Sequence, residues 1–192
     1  MATIIGISGS LRTGSYNTAL LRAALDLAPQ ALTIEIESIA EVPVYNGDSE
    51  RAGLPASVTA LKERIAASAG LLLVTPEYNG SLPGPLKNAI DWLSRPPNDI
   101  DRVFGGRPVG VIGATPGRLG TVLSQTAWLP VIRALGMRPY FGHSLYVAGA
   151  GKVFDASGGL VDDAVRERLR AYLAGFADFI GLASAPTSGE TP

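Results

Sequence analysis

The sequence predicts an α/β domain built on one doubly wound parallel sheet, and three observations carry that reading. Short runs rich in β-branched residues alternate with segments of helical period. Several of these runs are almost continuously apolar, as strands covered on both faces must be. Loops rich in glycine, proline and hydroxyl residues follow the first, third and fourth runs.

Taken in order, Thr3 to Ser8 reads as the first strand and Ala19 to Ala28 as the helix after it. Leu32 to Ser38 alternates apolar and polar residues, which suits a more exposed edge strand. Val58, Leu61, Ile65 and Ala69 recur at helical spacing before a third strand at Leu71 to Thr75. A helix over Leu86 to Leu93 and a strand over Pro108 to Ala114 come next. The helix expected over Gly120 to Gly136 contains Pro130, which lacks an N–H and should kink or break it. Arg138 to Phe141 is the fifth strand, and Leu160, Ala164, Val165, Leu169, Tyr172, Leu173, Phe176 and Ile180 mark the last helix. Right-handed crossovers then place helices on both faces of the sheet. Asn46 to Pro55 reads as a linker, the domain is expected to span residues 1–182, and residues 183–192 form a Ser, Thr, Gly and Pro tail expected to be disordered.

A chain of 192 residues with 46% hydrophobic and 17% charged residues is an ordinary globular mix. With 16 basic and 17 acidic residues scattered along it, no footprint for nucleic acid or an anionic membrane exists. The absence of cysteine removes disulfides, thiolate metal sites, iron–sulfur clusters and thiol redox chemistry. Any redox work must come from a bound cofactor. The apolar run at the start is short and no later stretch approaches ~20 apolar residues, so a cytoplasmic protein without a membrane span is expected.

The loop Ser8-Gly9-Ser10-Leu11-Arg12-Thr13-Gly14-Ser15-Tyr16-Asn17-Thr18 is an anion-binding arrangement. Its N–H groups and hydroxyls gather at a helix N-terminus, and Arg12 adds a planar fork suited to phosphate oxygens. The same residues also suit a plain turn with Ser15 or Asn17 as N-cap. Gly9 and Gly14 have P-loop spacing, but Ser15 stands where that motif requires Lys, and Gly6, Gly9 and Gly14 lack the dinucleotide spacing. A phosphate monoester fits better.

The third strand runs into Thr75-Pro76-Glu77-Tyr78-Asn79-Gly80-Ser81-Leu82-Pro83-Gly84-Pro85, stiffened by three prolines, which presents an aromatic face to a flat heterocycle. In the common strand order 2-1-3-4-5 these two loops flank the switch-point crevice, the place where open α/β sheets bind their ligands and where flavodoxin holds FMN. A third loop, Ala114 to Gly120, closes the same edge with Thr115, Gly117 and Arg118. Arg118 suits either charge stabilisation on a reduced flavin or a solvated surface.

These residues resemble the NADPH-dependent FMN reductase family, which includes quinone, chromate and azo reductases. The most specific parts are Gly9-Ser10-Leu11-Arg12 with Ser15 and Asn17, Pro76-Glu77-Tyr78-Asn79-Gly80-Ser81 with Pro83-Gly84, Leu86-Lys87-Asn88-Ala89-Ile90-Asp91-Trp92, and Ser94-Arg95-Pro96. The resemblance implies a flavodoxin-like domain with noncovalent FMN. Ser10, Arg12, Ser15, Tyr16 and Asn17 then belong to the phosphate side and Pro76, Glu77, Tyr78, Asn79 and Gly80 to the isoalloxazine side. Thr115 and Gly117 complete the set. It implies NADPH or NADH as donor, a quinone, azo compound, chromate or free flavin as acceptor, and a homodimer or homotetramer. Gly120-Thr121 and Leu123 depart from the family's usual Gly-Gly pair followed by Arg.

The competing reading is a flavodoxin-type electron carrier for a protein partner, which the near-neutral charge disfavours. His143, the sole histidine, reads as structural, and Asp99 with Asp101 as a solvated loop. Trp92 suits either the core or a subunit contact. No carboxylate group has metal-ligand spacing.

Overall fold

The computed structural model describes residues 1–184, with side chains described as far as Gly181. The elements in chain order are β1 (Ala2–Ser8), α1 (Tyr16–Leu27), β2 (Leu32–Glu37), α2 (Gly47–Ala52), α3 (Ala56–Ala67), β3 (Gly70–Val74) and α4 (Gly84–Leu93). A short 3-10 turn (Pro97–Asp99) and α5 (Ile100–Phe104) precede β4 (Pro108–Ala114) and α6 (Val122–Ala134). The chain ends with β5 (Arg138–Pro139), β6 (Tyr146–Val147), α7 (Ala150–Val153) and α8 (Asp163–Ser184).

The sheet is parallel in the order β2-β1-β3-β4-β5. Every residue of β3 is buried, as its continuous apolar run requires, while β2, at the edge, buries Leu32 and Ile34 in alternation and then exposes both Glu35 and Ile36 at its end. One face is covered by α1, α7 and α8 through Leu20, Leu21, Val153, Leu169, Tyr172 and Phe176. The other is covered by α3 to α6 through Ile65, Trp92, Phe104, Trp128 and Ile132. Ser8 pairs with Val74 and Val74 with Ile112, so the loops after β1, β3 and β4 leave the sheet at one level.

Several expectations are corrected. A sixth strand, β6, pairs with the C-terminal end of β4 at Gly113 and Ala114, because the fifth strand ends at Pro139 and leaves that end of β4 uncovered. The segment read as a linker holds α2, capped by the Asn46 side chain on the Asp48 N–H. Pro130 lies inside α6 without ending it. Thr126, whose carbonyl loses its partner, is exposed like Pro130, and water can serve the freed acceptor. α8 continues to Ser184, two residues into the expected tail, and the remainder of that tail lies outside the described residues.

Trp92 is fully buried and donates its Nε1–H to the Pro43 carbonyl at 2.9 Å, so it has no surface left for a subunit contact. Asp99 is not a solvated loop residue. It accepts from the buried Lys62 ammonium at 2.7 Å and from Arg102 at 2.6 Å, and these cations hold its carboxyl well below the usual range. No helix among the described residues is long and apolar enough to cross a membrane.

Candidate functional site

Three loops build the site, and each is fixed by contacts the sequence encodes locally. In loop 1, residues 9–15, the Ser8 and Thr18 hydroxyls meet at 3.0 Å. Ser15 is the N-cap of α1, its Oγ accepting from the N–H groups of Asn17 and Thr18 at 3.2 and 3.3 Å. Asn17 is buried and bonds both ways to Ala114, donating to its carbonyl and accepting from its N–H at 2.9 Å each. The side chains of Ser15 and Asn17 are thus committed to shaping the loop and tying it to β4.

The backbone N–H groups of Leu11, Arg12, Thr13 and Gly14 donate to no protein acceptor among the described residues. They stand at the N-terminus of α1 with the exposed Arg12, whose guanidinium lies 5.7 Å over the Tyr16 ring. Tyr16 itself stacks on Phe154 at 6.0 Å. This donor set suits a dianionic phosphate monoester.

Loop 2, residues 75–83, is a small hairpin. Tyr78 and Ser81 exchange both backbone hydrogen bonds at 3.1 Å, and Asn79 and Gly80 both have positive φ, at 53° and 70°. That is the type I′ turn an Asn-Gly pair favours. At its base the Thr75 hydroxyl donates to the Pro76 carbonyl at 3.0 Å and accepts from Trp128 Nε1–H at 3.0 Å. Since the one Thr75 proton is used, the Ser124 hydroxyl at 2.8 Å is its second donor. The Glu77 carboxylate accepts from the N–H groups of Leu123 and Ser124 at 3.0 and 3.3 Å, so it caps α6. Tyr78 is left 44% exposed on the rim.

Loop 3, residues 115–121, is closed by Thr115, whose Oγ1 accepts from the Gly117 N–H at 3.2 Å, and by backbone bonds from Thr115 to Val147 and from Ala150 to Thr115. Thr121, at the departure noted above, is buried with φ of 68°. A β-branched residue in the left-handed region carries strain, here held by a 3.1 Å bond from Gln125 Nε2 to its hydroxyl. Arg118 is exposed.

Loops 1 and 2 touch at Gly9. A Cβ there would lie 2.9 Å from Pro76 Cδ, 3.0 Å from Leu86 Cδ2 and 3.1 Å from Pro83 Cγ. The structure therefore sets loop 1, which carries Ser10, Arg12 and Ser15 and leads into Tyr16 and Asn17 of α1, beside loop 2, which carries Pro76, Glu77, Tyr78, Asn79 and Gly80, with Thr115 and Gly117 on loop 3 at the same sheet edge. The sequence reading missed that Glu77 works as a helix cap, and it missed the turn at Asp155 to Gly159 beside loop 1. That turn had a legible signal, an Asp followed two residues later by Ser and then Gly-Gly, and the Asp155 carboxylate indeed accepts from Ser157 and Gly159. Among the described residues no group of His, Asp and Glu is placed to hold a metal ion.

The donors of loop 1, the flat hairpin of loop 2 and their direct contact fit a phosphorylated, planar cofactor such as FMN. Comparison with known proteins agrees. A NAD(P)H-dependent FMN reductase of Pseudomonas aeruginosa is 42% identical over 170 residues, 88% of this chain and 90% of that protein. A quinone reductase of Escherichia coli is 35% identical over 181 residues, 92% of this chain and 94% of that protein. The solved structure of the NAD(P)H:(acceptor) oxidoreductase FerB of Paracoccus denitrificans superposes with a TM-score of 0.86 at 33% identity, covering 95% of this chain and 99% of that one. Residues 2–152 match the family model described as NADPH-dependent FMN reductase, and with the fold and crevice above, the chain belongs to that family.

Proposed function

We propose that this chain is an FMN-dependent oxidoreductase that draws electrons from NADPH or NADH and delivers them to quinone-type acceptors. The contact of loop 1 with loop 2 at Gly9 carries the reading, because Pro76, Leu86 and Pro83 pack too closely there for a side chain and so hold the unengaged N–H groups of loop 1 beside the loop 2 hairpin. The names of the relatives support a quinone as acceptor. Bound FMN supplies the two-electron chemistry between donor and acceptor.

The chain's own residues bind and orient. The Ser10 hydroxyl, the Arg12 guanidinium and the free N–H groups of loop 1 would hold the phosphate, while Ser15 and Asn17 keep that loop in shape. The Pro76 to Gly80 hairpin would lie along the ring, and Thr115 with Gly117 would close the pyrimidine side. A homodimer or homotetramer in the cytoplasm completes the proposal. It is supported by family membership.

The test is the visible spectrum of the purified protein. The expected result is a yellow protein, or uptake of added FMN, bleached by anaerobic NAD(P)H and recoloured by a simple benzoquinone. A protein that takes up no FMN overturns the reading, and bleaching without quinone turnover returns it to the electron carrier.

A further inference from the structure

Where loop 2 meets the start of α6, large apolar side chains stand partly in water: Tyr78 is 44%, Leu123 46% and Leu119 58% exposed. A single exposed leucine is ordinary on a protein surface, but Leu123 is held in place. Its backbone N–H donates to the Glu77 carboxylate at 3.0 Å, and its Cδ1 lies 3.6 Å from where a Cβ on Gly80, in the turn of the hairpin, would stand. Gly80, with φ of 70°, brings no side chain of its own to that contact. Leu119 is tied to the same junction by the bond from the Val122 N–H to its carbonyl at 3.2 Å.

Charge is scarce there. Across loop 2, loop 3 and the first turn of α6 the charged residues are Glu77 and Arg118. Glu77 is engaged by the N–H groups of Leu123 and Ser124, and the hydroxyls of Thr75 and Ser124 and the indole N–H of Trp128 are bonded to one another at the base of the hairpin. A molecule arriving at the hairpin therefore meets a fixed apolar ledge.

The acceptor arrives at this hairpin if the flavin ring lies along it, so the inference rests on the function proposed above. We infer that Leu123 selects the acceptor, favouring an uncharged quinone whose alkyl substituent lies on its side chain over an anionic acceptor. Such a quinone takes up two electrons and two protons to become the hydroquinone. NADPH or NADH gives both electrons and one proton as hydride, and water gives the second proton. Leu123 takes no part in that transfer and acts on binding alone.

The experiment is calorimetric titration of the oxidised, FMN-loaded protein, without donor, with trimethylbenzoquinones whose fourth ring substituent is methyl, pentyl or sulfonate. The wild type should bind the pentyl compound at least about fivefold more tightly than the methyl one, since each methylene removed from water is worth up to about fourfold, and should bind the sulfonate most weakly. Leu123→Ala should bring the pentyl and methyl compounds within about twofold of each other, Leu123→Met should keep most of the preference, and Leu123→Arg should raise the sulfonate above the pentyl compound. Leu129→Ala, which removes another exposed leucine farther along α6, should change nothing. In turnover the preference should appear in the quinone KM and leave kcat alone. Equal binding of the methyl and pentyl compounds by the wild type overturns the inference, as does a pentyl preference that survives Leu123→Ala. Tightest binding of the sulfonate, lost in Arg118→Ala, would mean selection by charge and overturns it too. If Leu123→Arg yields a smaller oligomer by sedimentation, Leu123 is a subunit contact, and if Leu123→Ala loses FMN, it is a flavin contact; either result overturns the inference. The function reading fails separately, through a protein that takes up no FMN or whose bleached flavin the methyl compound does not recolour.

Discussion

Arg12, the one cation of loop 1, is exposed and has no carboxylate partner among the described residues. Arg12→Ala is expected to weaken FMN binding roughly ten- to a hundredfold while leaving the melting temperature of the FMN-free protein unchanged, since a charge-assisted hydrogen bond is worth about 1.5–3 kcal/mol. Unchanged affinity in a fluorescence titration would remove Arg12 from the site. At the far side of the molecule Asp99 has a structural part. Lys62 is 2% exposed and bonds to Asp99 and to the Arg95 carbonyl, and Arg102 bridges Asp99 to Glu63. Asp99→Asn leaves a buried ammonium without its counter-charge, at a cost of about 3–5 kcal/mol. The Asp99 carboxyl titrates lower folded than unfolded, where its value is near 3.8. Its contribution is therefore complete above about pH 4–5 and is lost as pH falls below that. Denaturant melts of wild type and variant should differ fully at pH 5 and above and progressively less below about pH 4, and a gap that does not shrink between pH 5 and pH 2 would contradict the assignment.

At the scale of elements, the site depends on strand ends held level and on short loops with little freedom. Ser8, Val74 and Ile112 are in register, so β1, β3 and β4 deliver loops 1, 2 and 3 to one edge. Glu77 then fastens loop 2 to the start of α6, and Asn17 fastens α1 to the end of β4. Gly9→Ala tests this coupling. The added methyl meets Pro76 and Pro83, whose rings cannot fold away, and the Leu86 side chain. The two loops must separate by a few tenths of an ångström, with an overpacking cost of about 1–3 kcal/mol. FMN affinity should fall, and the FMN-free protein should lose stability by no more than that amount. A variant that binds FMN as the wild type does would show that the loops do not close on the cofactor together.

For the whole molecule, the absence of cysteine and of any metal cluster among the described residues leaves one carrier for electrons between donor and acceptor. Donor and acceptor should therefore use the same open face over loop 2 in turn. Initial rates with both substrates varied should give the parallel lines of a ping-pong scheme. Intersecting lines with a ternary complex trapped by an acceptor analogue would refute the shared face.

The sequence by itself determined the alternation of strands and helices and the two glycine- and proline-rich loops, while the strand order was the usual one for such a fold and the structure shows it. Those features are written in local patterns: continuous apolar runs for β3 and β4, alternation for β2, and an Asn-Gly pair where a type I′ turn is needed. Tertiary structure alone decided which side chains of those loops are free. Ser15 and Asn17 share a loop with Arg12, yet burial directs the first two to protein partners and leaves the third in water. Trp92 and Asp99 likewise looked available and proved committed, one to the Pro43 carbonyl and the other to Lys62 and Arg102. β6 exists only because the end of β4 lacks a neighbour once β5 stops at Pro139. The physical reason is common to all of these. Secondary structure follows from the order of residues along the chain, whereas the engagement of a polar side chain depends on what segments distant in sequence place within 3 Å of it.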